Sequence, residues 1–247
     1  MALDSRAHRS RRLSALVAAL LTVVLVVGCS QPRPQPPAAD GPPRARLTPV
    51  GARILSDDEA AARVRRVPER RPGNRTANAT VPTGEQLARY RGAYVPDAGA
   101  ARFRALRDRV TGGFTGTTEE IIQWTAIKWG LPEDLVRAQA FDESTWHMDR
   151  VGDGGRSFGI MQIKDEAMPG TLPLSRESTA FNLDHYGFVI RAYYEAVHPW
   201  LRDAEAGDLW GAVGAWFSGA WHDAGARAYV ARVQSILRER PWERAGF

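Results

Sequence analysis

The chain has 247 residues, a formal charge of +5 at neutral pH and a single cysteine. That length admits one or two domains, and one cysteine excludes an intrachain disulfide. The charge divides into +11 over residues 1–112 and −6 over 113–247. All of the excess basicity therefore lies in the part without most of the aromatics, which argues against a folded nucleic-acid-binding surface.

Arg6, Arg9, Arg11 and Arg12 precede a sixteen-residue apolar stretch, 13–28, broken only by Ser14 and Thr22. A charged segment followed by an apolar one is the pattern of an export signal. The stretch is short for a stable membrane span, which needs about 20 residues. It ends in Val26-Val27-Gly28-Cys29-Ser30, which resembles the lipobox of bacterial lipoproteins. That resemblance implies a signal peptide over 1–28, acylation of Cys29, and an exported protein held to a membrane of the cell envelope through its lipid. An uncleaved anchor and an ordinary secretory cleavage near Cys29 are the alternatives.

All 22 Phe, Tyr and Trp lie at or after Tyr90, and seven of the sixteen prolines fall within 31–50. Without large apolar side chains a segment cannot offset its own chain entropy. The composition therefore predicts a disordered Pro- and Arg-rich tether over 29–83 and a folded domain over 84–247. A flexible chain of this length averages about 40 Å end to end, and its basicity suits anionic lipid or wall polymer. Within it, Ser56-Asp57-Asp58-Glu59 forms a capping box for a short solvated helix that Pro68 would stop. Asn74-Arg75-Thr76 and Asn78-Ala79-Thr80 match the N-glycosylation pattern, read here as chance matches in a bacterial-looking lipoprotein.

Beyond Tyr90 helical periods dominate. Residues 97–110 predict one helix, stopped by Gly112-Gly113. Thr117-Thr118-Glu119-Glu120 caps a second, carrying Ile121, Ile122, Trp124, Ala126 and Ile127 and ended by Gly130. Pro132 suits the first turn of a third, favoured by Glu133 and Asp134 at its positive end. Later helices are predicted over 178–197, 208–217 and 223–240. The fold class is mainly α, with a small β element around 150–163.

Glu143-Ser144 falls at the end of the helix that begins near Glu133, and Gly159-Ile160-Met161-Gln162 starts sixteen residues after the glutamate. Together with Gly152-Asp153-Gly154-Gly155 and a late Ala228-Tyr229-Val230, these residues resemble the goose-type lysozyme and lytic transglycosylase family over roughly 115–240, about half the chain. The resemblance implies a lysozyme-like helical domain that cuts the MurNAc–GlcNAc β-1,4 bond of peptidoglycan strands. It implies Glu143 as the catalytic acid, which then acts as base while the sugar's own 6-hydroxyl closes a 1,6-anhydro ring. It further implies Ser144, Gly159, Met161, Gln162 and Tyr229 as substrate-binding residues and calls for no cofactor. Which protein partners it has is left open.

The chemistry asks for a carboxyl that stays protonated near neutral pH, which burial beside apolar groups provides. Trp146, Phe158 and Met161 are candidates for that wall. Gln139 and Val136 share the face of Glu143, which becomes more apolar away from the acid, while Asp142 points about 100° away. Other readings stand beside these. Gly159 and Met161 also suit a packed turn, Tyr229 also suits the core, and Asn182, where the family often opens a helix with asparagine, also suits an ordinary cap. The family's Ala-Tyr-Asn-Ala-Gly stands here as Ala215-Trp216-Phe217-Ser218-Gly219, without the asparagine, so Trp216 and Trp221 are either sugar-stacking or core.

Asp153 is the candidate for positioning a water, which would make the protein a muramidase; the alternative is that it only shapes its Gly-rich turn. A glycan-binding wall protein without catalysis is the further alternative. No metal ligand spacing is formed by His8, His147, His185, His198 and His222. No serine stands in a nucleophile elbow, and Gly152-Asp153-Gly154-Gly155 lacks the lysine of a phosphate loop.

Overall fold

Side-chain caps set where most helices begin. In chain order these are α1 (Asp57–Ala61), α2 (Arg75–Asn78), α3 (Gly84–Gly92), α4 (Ala101–Arg107), α5 (Thr118–Trp129), α6 (Glu133–Ser144), then α7 (Leu174–Glu177), α8 (Thr179–Tyr194), α9 (Leu209–Ser218) and α10 (Ala224–Glu239). Ser56 with Glu59, Thr83 with Gln86 and Thr117 with Glu120 each form a reciprocal capping box, which satisfies two otherwise unpaired N–H groups per helix. Gly130 ends α5 in the left-handed conformation, as its position predicts. Pro132 is the extended residue before α6 rather than part of its first turn. This computed structural model describes residues 44–93 and 100–247, all within the unit Gly41–Phe247. The leader and Cys29 lie outside the described residues, as does the start of the helix expected over 97–110.

Between α6 and α7 the chain forms a small antiparallel sheet, β1 (Val151–Gly152), β2 (Ser157–Phe158) and β3 (Ile163–Lys164), in the order β1-β2-β3. Its register pairs Val151 with Phe158 and Phe158 with Ile163. The protein is mainly helical with a small β element, as the sequence predicts. Every residue of α8 is buried, with α4, α5 and α9 packed around it, while α10 packs on α6 and α9. A helix buried all round must pair its polar side chains. Asp184 does so by accepting from Lys128 Nζ and Trp129 Nε1 at 2.7 Å and from the N–H of Thr111 at 2.8 Å. Arg191 pairs with Glu195 at 2.7 Å. Among the described residues no helix is long and apolar enough to cross a membrane.

The expected tether over 29–83 is corrected from residue 44 onward. Residues 44–83 lie on the helices as a strap, with Ile54, Ala60, Asn74 and Asn78 buried. Thr48 N–H donates to Gly130 C=O and Leu55 N–H to Lys128 C=O. Arg65 exchanges backbone hydrogen bonds with the buried Gln123 side chain and its guanidinium reaches the fully buried Glu133. Arg191 donates to Thr48 and Pro49 carbonyls. The segment lacks aromatics because it builds no core of its own. It is ordered because α5, α6 and α8 bury charged groups that need it, and stripping one partner from a buried ion pair costs roughly 3–5 kcal/mol. The helix at Ser56 is therefore packed rather than solvated, and both sequon asparagines are interior.

Candidate active site

Glu143 sits in the last turn of α6, and the chain then reverses through two successive left-handed residues, Thr145 and Trp146, with φ of 55° and 64°. Such backbone is costly for residues with a Cβ and persists only where neighbours hold it. Asn74 does so from the strap: its amide donates to Trp146 C=O at 2.7 Å and its oxygen accepts from Met148 N–H at 2.9 Å. Arg71 adds a bond to Thr145 C=O at 3.0 Å. The reversal carries the chain into β1 and aims the Glu143 carboxyl into a cavity of about 620 Å³.

That cavity is lined by Glu143, Asp153, Gln162, Trp216 and Phe217, together with aromatic side chains that include Phe103 and Trp200. Oε1 of Glu143 accepts the Tyr229 hydroxyl at 2.7 Å and the Trp216 indole N–H at 3.1 Å. Burial pushes the carboxyl up to about 7, aided by the neighbouring Asp142 charge and opposed by Tyr229, Trp216 and Arg232. The side chains that bond the carboxyl come from α9 and α10. Trp146, Phe158 and Met161, expected to form the apolar wall beside it, do not line the cavity; Trp146 instead stacks on Trp242 and bonds Arg137 C=O. Asp142 turns away and pairs with Arg232 at 3.2 Å.

The other expected site residues divide by position. Ser144 is buried and donates to Ile160 C=O at 2.8 Å, tying the end of α6 to the Gly159–Gln162 turn. Gly159 has φ +78°, and a Cβ there would lie 2.3 Å from Asn182 Nδ2 and 2.5 Å from Ser175 O, so only glycine fits. Met161 is fully buried. These three brace the turn and do not line the cavity. Gln162 does line it, although its Nε2 is already given to Gly159 C=O at 2.8 Å and Arg150 C=O at 3.1 Å. Tyr229, fully buried, addresses the acid rather than the cavity.

Asn182 is not a helix cap. Ser178 caps α8, and Asn182 from the first turn accepts Met161 N–H at 3.0 Å and donates to Phe158 C=O at 3.0 Å and Ser175 C=O at 2.7 Å. Asp153 shares the cavity with Glu143, and its carboxylate is held by Ser157 Oγ at 2.7 Å and Lys164 Nζ at 2.5 Å. Those two partners, Lys164 foremost, keep it below the usual carboxylate range.

Two residues of the site were not anticipated. Gln139, on the face expected to grow more apolar, donates to the Tyr229 hydroxyl at 3.1 Å, and Tyr186 donates to Gln139 Oε1 at 2.5 Å. The available signal was the spacing, since Gln139 lies four residues before Glu143, one turn along the same face. Trp216, for which the sequence offers sugar stacking or core, lines the cavity and donates a hydrogen bond to the acid. Among the described residues no group of three or more His, Cys, Asp or Glu is placed to hold a metal ion.

No family model, no curated protein and no solved structure matches this chain.

Proposed function

We propose that this protein is a peptidoglycan lytic transglycosylase in which Glu143 is the general acid and base. The observation that carries the reading is a single carboxyl, raised to about 7 by burial, on the wall of a cavity of about 620 Å³. A carboxyl that remains protonated near neutral pH can protonate a glycosidic oxygen as the bond to it breaks. The anion so formed is held by Tyr229 and Trp216, and it then accepts the proton of the sugar's 6-hydroxyl as that oxygen closes on the anomeric carbon. The acid returns to its starting state and no water is consumed.

Hydrolysis by the same acid is the second reading, because Asp153 lines the same cavity. Ser157 and Lys164 both engage its Oδ2 and hold it low and ionised, as the shaper of its turn. Mass spectrometry of the products from purified peptidoglycan separates the two, since anhydro ends are one water lighter than reducing ends. Anhydro products support the proposal, reducing ends select the muramidase, and no cleavage leaves a glycan-binding wall protein. Attachment to a membrane through lipid on Cys29 is part of the same reading, supported by the leader and the lipobox-like Val26-Val27-Gly28-Cys29. Its test is fractionation: the wild type should follow membranes and Cys29→Ala should not.

A further inference from the structure

The hydrogen bonds behind the acid run in one direction. The Trp216 indole can only donate, and it donates to Oε1 of Glu143. Tyr229 has one proton. Because Gln139 Nε2 donates to the Tyr229 oxygen at 3.1 Å, that proton is directed to the same Oε1, at 2.7 Å. The Gln139 amide would satisfy Tyr229 equally well if turned over, presenting its oxygen and drawing the tyrosine proton away. Tyr186 opposes this by donating to Gln139 Oε1 at 2.5 Å: a turned amide would donate to the Tyr186 oxygen and leave the buried Tyr186 proton without that acceptor. Gln139, Tyr186 and Tyr229 are all fully buried, so no solvent competes for these groups.

With two donors aimed at it, Oε1 has no free direction in which to hold a proton of its own. We propose that Gln139 and Tyr186 are positioning residues that keep Tyr229 a donor to Glu143 and so confine the acid's proton to Oε2, the oxygen left to meet a leaving group. The proposal rests on Glu143 being the acid of the reading above. Neither Gln139 nor Tyr186 touches the reacting atoms; both act through Tyr229.

The charged and titratable groups facing Glu143 are Asp142 on its own helix, Tyr186 on α8, and Tyr229 and Arg232 on α10. Asp153 and Lys164 border the same cavity from the sheet. Only the tyrosines belong to the directed chain, so removing one hydroxyl tests the chain while the charges stay in place. Tyr186→Phe retains the ring packed edge-on against Trp216, with centroids 5.1 Å apart, and frees the amide to turn. The ionised carboxylate then loses part of its donation from Tyr229, and its midpoint must rise.

The experiment follows the Glu143 side-chain carboxyl by NMR in the full chain labelled with 13C-glutamate, the signal being identified by its absence in Glu143→Gln. The midpoint should rise by about half a pH unit in Tyr186→Phe and by about one in Tyr229→Phe. The double variant should match Tyr229→Phe alone, because Tyr186 has no other route to the acid. An unchanged midpoint in folded Tyr186→Phe, or two shifts that simply add, overturns the proposal. Should Tyr186→Phe fail to fold, Gln139→Leu against Tyr229→Phe gives the same comparison. The titration needs no glycan, so variants that show these shifts beside a wild type that cleaves nothing remove the enzymatic reading and leave the positioning chain standing.

Discussion

Trp216 donates its indole N–H to Oε1 of Glu143 across 3.1 Å, from α9 to the last turn of α6. The donor favours the ionised carboxylate, so it holds the acid's midpoint down against burial. Trp216→Phe removes it. Glycan-cleaving activity should fall about tenfold, the size of a lost bond to a charged group, and its alkaline limb should move upward from about 7. A pH–rate profile checks this, and a limb that stays in place would show that Trp216 only packs.

Glu143→Gln keeps shape but has no proton to give, and activity should drop roughly a hundredfold or more. The same variant tests the burial. The folded-state midpoint, about 7, lies above the ordinary 4.5, so the stability linked to this group is complete below about 4.5 and lost as pH rises through about 7. Glu143→Gln should therefore be more stable than the wild type by about 3 kcal/mol at pH 8.5, with the difference vanishing below about pH 4. Urea denaturation at the two pH values measures it.

A chain beginning at Tyr90 should fail to fold, while one beginning at Gly41 should fold. The first leaves Glu133, Gln123 and Arg191 without partners that the strap supplies. Within the strap, Asn74→Ala should cost about 2–3 kcal/mol, because it strands the Trp146 carbonyl and the Met148 N–H behind a strained turn. Circular dichroism melts of the three proteins decide it, and a cooperative transition in the chain from Tyr90 would restore the tether.

Asp153→Asn should leave anhydro-muramyl products as the sole species. The residue adopts φ +49°, which asparagine tolerates, and the exposed pair with Lys164 contributes little to stability. A modest loss of rate is expected from a looser turn. Reducing-end products that are present in the wild-type digest and absent in the variant's would assign Asp153 to water activation.

Local signals carry short-range information, and those were legible. The capping boxes at Ser56 and Thr117, the left-handed Gly130 and the glycines around Asp153 state their own conformations, because each is decided by atoms within a few residues. Glu143 is singled out differently, by the resemblance of its own motif and of the Gly159–Gln162 turn to a known family. What tertiary structure alone decided is which atoms meet over long separations. Gln139, Tyr186, Trp216 and Tyr229 come from four different helices and converge on one carboxyl. The strap escapes composition for a related reason. Aromatic content reports whether a segment can bury a core of its own, and residues 44–83 cannot. Their order comes from polar groups buried elsewhere, Glu133 and Arg191 among them, whose need for partners is set only once the helices have packed.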